Sequence, residues 1–262
     1  MREIIDKVQA IINDSTKIVF FGGAGVSTGS GIPDFRGTGG LYTTNISAET
    51  ILSRTYFDKH PKEFFEFFRN NMMFENAKPN ATHMKLAELE KAGKDITIVT
   101  QNIDPLHQMA GSSKVITLHG SITTSHCMKC NKLYKTTDVI NQDVPRCSCG
   151  NIIKPDVVLY EERLPEDQKI AAVNAIKEAD TIIIAGTSMT VAPAKNMPKN
   201  HFRGKHMIIM NNEPTFMDKW SRCVIREDMN EIFSKIQVDN DSPTIIDRTF
   251  IIPYHAPYEF PF

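Results

Sequence analysis

At 262 residues, with 41% hydrophobic and 23% charged side chains, the chain can bury one large core, or one core and a small insert. A net charge of −1 gives no reason to expect nucleic acid or an anionic membrane as a partner. No apolar run approaches the roughly 20 residues needed to cross a bilayer, and charges threaded through Met1-Arg-Glu-Ile-Ile-Asp-Lys7 leave no signal-peptide core, so a cytoplasmic location is expected.

Apolar residues at helical spacing predict a helix over residues 2–13. A buried strand, Ile18–Phe21, then runs into Gly22-Gly-Ala-Gly-Val-Ser-Thr-Gly-Ser-Gly-Ile-Pro-Asp-Phe-Arg36, which has five glycines in its first ten residues. Glycine serves where backbone must take positive φ or approach another group closely. A strand entering such a loop is how α/β proteins present N–H groups to phosphate. The Pro-Asp-Phe-Arg that follows adds a kink, an acid, a ring and a guanidinium, suited to holding more than phosphate.

Residues 38–82, with Phe57, Phe64, Phe65, Phe67, Phe68, Met72, Met73 and Phe74, have no strand pattern and read as a helical insert with an aromatic face. A helix over Met84–Lys91 and a strand over Ile96–Thr100 follow. Gln101, Asn102 and Asp104 come directly after that strand, where open α/β sheets bind ligands. They suit contacts to a ribose, an amide or an ordered water, or, for Asn102 and Asp104, capping of a helix. His119-Gly120 follows the strand Val115–Leu118 and places a group that titrates near neutrality at a third strand end, as a general base should be.

Four of the five cysteines lie within 23 residues, as Cys127-x-x-Cys130 and Cys147-x-Cys149 separated by 16 residues. In a reducing compartment this pattern points to a zinc ribbon, and four thiolates close the tetrahedral shell, so the metal would be structural. His126 is an awkward alternative ligand because it adjoins Cys127. Cys223 stands apart and reads as a small core residue. Strands over Val157–Tyr160, Thr181–Ala185 and His206–Met210, with a helix over Asp167–Glu178, complete an alternating pattern. That pattern predicts an α/β fold: a Rossmann-like parallel sheet with helices on both faces, plus a small zinc-ribbon and helical module. Gly186-Thr-Ser188 and Asn211-Asn-Glu213 lie at the ends of two more strands. From Gln237 onward, Pro243, Pro253, Pro257 and Pro261 alternate with aromatic residues, which excludes a regular helix. This tail reads as a disordered end or as a segment that docks on its own chain or a neighbour.

Together these segments resemble the sirtuin family, NAD-dependent protein lysine deacylases, over residues 1–236. The resemblance is carried by Gly23-Ala-Gly-Val-Ser27, Gly31-Ile-Pro-Asp-Phe-Arg36, Gly40-Leu41, Thr100-Gln-Asn-Ile-Asp104, Leu118-His-Gly120, the four cysteines, Pro155-Asp-Val-Val-Leu-Tyr160, Gly186-Thr-Ser188 and Asn211. Ile51-Leu-Ser-Arg-Thr-Tyr56 and Val157–Tyr160 look most like the bacterial branch of Gram-positive species. The resemblance implies a Rossmann-like domain in three parts, 1–37, 83–121 and 154–236. Into it would be inserted a helical module, 38–82, and a zinc ribbon, 122–153, with the tail at 237–262.

It implies that Ala24, Gly25 and Thr28 contact the diphosphate region of NAD, and that Phe35 and Arg36 cover the nicotinamide-ribose end. Ile103 and Asp104 would form the nicotinamide pocket, while Gln101 and Asn102 hold the ribose and a water. Thr187, Ser188, Asn211 and Met229 would serve the adenosine side. His119 and Asn102 would be catalytic. NAD would be a co-substrate, one Zn2+ would be held by Cys127, Cys130, Cys147 and Cys149, and the partners would be acylated lysines of proteins that pair with Val157–Tyr160 as an added strand.

Three departures stand out. Pro105 replaces a usual glycine, Tyr160-Glu161-Glu162 replaces aromatic-Gly-Glu, and Phe68-Arg69-Asn70-Asn71 lacks the Tyr-x-x-Arg pair of desuccinylase-type members, which favours an uncharged acyl group. The alternatives are a mono-ADP-ribosyltransferase or NAD hydrolase using the same cleft, and a non-catalytic NAD-sensing module.

Overall fold

The computed structural model describes residues 1–34, 47–74 and 76–238. Phe35, Arg36, Gly40, Leu41 and nearly all of the proline-aromatic tail therefore lie outside the described residues.

Six parallel strands form the main sheet: β1 (Lys17–Gly22), β2 (Asp95–Thr100), β3 (Val115–Thr117), β7 (Thr181–Ala185), β8 (His206–Met210) and β9 (Cys223–Ile225). Their order is β3-β2-β1-β7-β8-β9, the doubly wound arrangement in which the chain reverses direction across the sheet between β1 and β7. The strands read as continuous apolar runs because both faces are covered. Along β1, Ile18 and Phe20 enter one core with Val8 and Ile12 of α1 (Arg2–Asp14), Leu86 of α5 (Ala81–Lys91) and Phe233 of α10 (Met229–Lys235). Val19 and Phe21 enter the opposite core with Ala172 and Ile176 of α8 (Glu166–Glu178) and Met197 of α9 (Met197–His201). Each such large side chain contributes about 1.5–3 kcal/mol by leaving water.

A second sheet is antiparallel, in the order β5-β4-β6, with β4 at Gly120–Cys127, β5 at Leu133–Lys135 and β6 at Ile153–Val157. Cys127 ends β4, and Cys130, Cys147 and Cys149 lie in the connections between its strands. The aromatic insert folds as α2 (Ala48–Ile51), α3 (Arg54–Lys59) and α4 (Pro61–Asn71). Phe57, Phe64, Phe65 and Phe68 pack there with largely edge-on ring contacts, and Ile122, Val157 and Leu159 of the ribbon side join the same core. The two remaining short helices are α6 (Leu106–Ala110) and α7 (Thr136–Val139).

Two expectations about elements change. Val157–Tyr160 is not a strand of the parallel sheet. Val157 ends β6, paired antiparallel with β4, and Tyr160 makes an isolated bridge to Ser53. The apolar run is real, but it is buried against the helical insert. The strand β9 and helix α10 went unanticipated, because three residues carry too little periodicity and α10 is only seven residues long. Cys223 opens β9 and is buried in the core, 5% exposed, as a small apolar residue would be.

Candidate active site

The carboxyl ends of β1, β2 and β7 open into a cavity of about 600 Å³, walled on its far side by the segment after β6 and the end of α4. Its glycine-rich wall is built by close backbone contact. After β1 the chain makes two 3-10 turns, Ala24–Val26 and Thr28–Ser30, and the Gly25 N–H donates to the Gly186 carbonyl at 2.8 Å. Gly186 has φ +56°, and a Cβ there would lie 2.4 Å from the Val26 nitrogen. A Cβ on Gly25 would lie 2.8 Å from the Gly186 Cα. Only glycine at both positions lets the ends of β1 and β7 meet, and this meeting is the switch point where the fold binds ligands.

Every described residue singled out from the sequence for NAD lines this one cavity: Ala24, Gly25, Thr28, Gln101, Asn102, Ile103, Asp104, His119, Thr187, Ser188, Asn211 and Met229. They come from five strand ends and the start of α10. Asp228 caps that helix by accepting from the Asn230 N–H, and so fixes Met229 at its first turn.

Reasoning from the sequence missed Ser27, which is 1% exposed. Its hydroxyl donates to Asp104 Oδ2 and accepts from Asn102 Nδ2, both at 2.9 Å. One serine thereby joins the two polar residues after β2 to the glycine loop. No spacing signal marks such a bridge, because the partners lie 75 and 77 residues away. Asp104 also accepts from the Leu106 N–H at 3.1 Å. Burial raises the Asp104 pKa above the ordinary carboxylate value, while the Leu106 and Ser27 donors pull it down.

Pro105 sits at the start of α6 with φ −91°, where a helix needs no N–H from it. The Asp104 carboxylate caps the same turn through Leu106, so the proline is built into the helix start.

His119 Nδ1 lies 2.8 Å from the Gln101 carbonyl oxygen. A carbonyl only accepts, so Nδ1 carries the proton and the Nε2 lone pair is left free. Burial holds the His119 pKa below its usual value, partly opposed by that hydrogen bond, so the ring is neutral at neutral pH. Gln101 in turn donates from its amide to Thr187 Oγ1 at 3.0 Å.

One wall of the cavity is apolar, formed by Phe68, Met72, Ile122, Val157 and Leu159. Arg69 points elsewhere, donating to the carbonyls of Ile140 and Gln142 at 3.1 and 2.7 Å. Among the described lining residues there is no lysine or arginine.

The sulfur atoms of Cys127, Cys130, Cys147 and Cys149 lie within 4.8 Å of one another. A tetrahedral zinc with Zn–S distances of about 2.3 Å spaces its sulfurs about 3.8 Å apart, so the donor set fits that ion. The Tyr134 hydroxyl donates to Cys147 Sγ at 3.1 Å, the outer-shell support expected for a metal thiolate. His126 is engaged by Asp156 at 2.6 Å and stands outside the cluster.

The Sir2 family model matches residues 23–193. The chain is 44% identical over 242 residues to an NAD-dependent protein deacetylase of Clostridium perfringens, covering 90% of this chain and 99% of that one. Over 239 residues it is 47% identical to an NAD-dependent protein deacetylase of Clostridium acetobutylicum, covering 88% and 97%. Among solved structures, a Sir2 complex with deacetylated p53 peptide and 3′-O-acetyl ADP ribose superposes with a TM-score of 0.82. It is 37% identical and is matched over 87% of this chain and 95% of that one. A Sir2–p53 peptide–NAD+ complex gives 0.80 at the same identity and coverage.

Proposed function

The chain belongs to the Sir2 family, and from that premise we propose that it is an NAD-dependent protein lysine deacylase that moves the acyl group of acyl-lysine onto ADP-ribose. The observation that carries this reading is His119 with Nδ1 committed to the Gln101 carbonyl and Nε2 free, in the same cavity as the glycine loop and Asp104.

The glycine loop and Thr28 receive the diphosphate of NAD, whose negative charge suits a wall of close-set backbone groups. Asp104 and Ile103 take the nicotinamide, with the carboxylate accepting from the carboxamide N–H, and Ser27 and the Leu106 N–H keep it aimed. Asn102, anchored on Ser27, borders the ribose. The acyl oxygen attacks C1′ as the C1′–nicotinamide bond breaks, so nicotinamide leaves with the bonding electrons. Neutral His119 then accepts a proton at Nε2 from a ribose hydroxyl, which attacks the acyl carbon. Water completes the transfer, and free lysine, nicotinamide and O-acyl-ADP-ribose result. Thr187, Ser188, Asn211 and Met229 hold the adenosine end.

The apolar wall of Phe68, Met72 and Ile122, with Arg69 turned away, supports an uncharged acyl group. A carboxylate there would be desolvated with no described cation to pair it. Zn2+ on the four cysteines is structural in this reading, since four thiolates leave no open position. The five cysteines form no disulfide, which suits a reducing compartment such as the cytoplasm.

Mass-spectrometric product analysis with NAD and an acetyl-lysine peptide tests the reading. We expect stoichiometric nicotinamide and O-acetyl-ADP-ribose, and a loss of about 10²–10⁴-fold on His119→Ala. Nicotinamide release that needs no acylated peptide would overturn it in favour of ADP-ribosyl transfer or NAD hydrolysis.

A further inference from the structure

The segment from Val158 to Glu162 lines the cavity beside His119, and Glu161 in it has φ +75°. That is left-handed backbone, which favours glycine and disfavours a side chain with a Cβ. The side chain therefore needs a reason to be there, and its contacts supply one. Glu161 Oε2 accepts from the Thr55 N–H at 2.9 Å and from the Thr55 hydroxyl at 2.6 Å. Thr55 lies in the first turn of α3, where backbone N–H groups lack helical partners. On the preceding residue, the Tyr160 N–H donates to the Leu52 carbonyl at 2.9 Å, and the Arg54 N–H donates to the Tyr160 carbonyl at 3.0 Å. On the following residue, Glu162 accepts from Arg54 Nη1 at 3.2 Å and from the Leu159 N–H at 2.9 Å. The other end of the segment is tied at the Val158 N–H, which donates to the His119 carbonyl at 2.9 Å.

We propose that Glu161 is a substrate-positioning residue: its carboxylate staples the segment Val158–Glu162, which overlaps the stretch Val157–Tyr160 expected to pair with the acyl-peptide, to the first turn of α3 and fixes that segment's distance from His119. The inference rests on the deacylase reading, whose family resemblance implies that the acyl-peptide pairs with Val157–Tyr160. It goes beyond that reading in making the helical insert an active part of peptide recognition. A left-handed residue at this point turns the chain so that the carboxylate meets Thr55. Glycine could take the same turn but would leave the first-turn donors of α3 without this acceptor.

The test uses the full chain and three variants, Glu161→Gly, Glu161→Ala and Glu161→Gln. Binding of an acetyl-lysine peptide is measured by calorimetry without NAD, and steady-state kinetics are measured with it. Glycine and alanine should raise the peptide Kd and KM about fivefold or more, the scale of losing the acceptor of one or two hydrogen bonds. kcat and the KM for NAD should stay within about twofold, because the reacting groups are untouched. Glutamine retains an amide oxygen for Thr55 and should behave as wild type, which a role resting on charge alone would not allow.

A wild-type peptide Kd in Glu161→Gly would overturn the proposal, and so would a Glu161→Gln variant as impaired as Glu161→Ala. Thermal unfolding of each variant shows whether the fold is kept. A wild type that binds the peptide without turnover overturns the reaction assigned above and leaves this test in force, since Kd is read without turnover. A wild type that binds no acyl-peptide overturns both.

Discussion

His119 shows how a single residue's surroundings set its chemistry. Its Nδ1 proton is held by a backbone carbonyl that no side-chain substitution removes, and burial keeps the ring neutral. The base form is therefore present above a pKa that lies below the ordinary histidine value of about 6.5. We expect the acid limb of kcat/KM, where the ring takes a proton, to be centred below pH 6.5. A rate profile across this range measures it, and a limb centred above 7 would contradict the assigned geometry. At this scale the sequence was informative where a polar residue directly follows an apolar strand. Gln101, Asn102, Asp104, His119, Thr187 and Asn211 all meet that condition. Ser27 does not, because its role depends on partners brought together only by the parallel register of β1 and β2.

Among the elements, the zinc-ribbon sheet matters most, because it is the least able to hold itself together. β4 is mostly polar along its length, and the core next to it is small, with Cys127, Val139, Cys147 and Ile153. A metal supplies the folding free energy such a segment lacks. β4 begins at Gly120, next to His119, and β6 ends at Val157, next to the peptide segment. Loss of the proposed ion should therefore displace both the proposed catalytic base and the proposed peptide edge.

Elemental analysis should find one zinc per chain, and prolonged chelation or Cys147→Ala should remove it. We expect activity to disappear with the ion and the thermal midpoint to drop. Full activity in zinc-free protein would refute the structural assignment. The cysteine spacing announces this element, whereas the Ser and Thr content of β4 hides that strand, and the run Val157–Tyr160 reads as a strand of the large sheet although only Val157 belongs to a strand, β6. Patterning alone does not say which sheet an apolar run joins.

In the molecule as a whole, two histidines lie deep between α5, α6 and β1. His83 and His107 are 0% and 1% exposed, their ring centroids are 4.5 Å apart, and Phe20 packs edge-on against His107. His83 keeps one contact through Nδ1 to Asn80, while both nitrogens of His107 are buried without a partner among the described residues. Burial pushes their pKa values down, to about 4 for His83 and about 3 for His107. The unfolded chain protonates both near 6.5, so between pH 6.5 and 4 it binds more protons than the native state. Stability should therefore be undiminished above pH 6.5 and fall as pH drops toward 4, by up to about 1.4 kcal/mol per pH unit for each ring. Urea titrations at pH 7, 6 and 5 measure the slope, and His107→Leu should reduce it by about one proton. An unchanged slope would mean that other groups carry the acid sensitivity.

The parallel sheet with helices on both faces was legible because strand and helix alternate along the chain. The burial of two histidines was not, because nothing in their neighbours' polarity marks them as interior.

The two sheets meet at His119, and their separate construction has an evolutionary consequence. Residues on the NAD side hang from the parallel sheet, and a Cβ added at Gly25 or Gly186 would clash with backbone. The proposed peptide and acyl side is carried by β6, α3 and α4, where exchange of surface groups such as Thr55 and Glu161 leaves the large sheet undisturbed. Substrate preference can therefore change under selection while the bond-breaking step stays fixed.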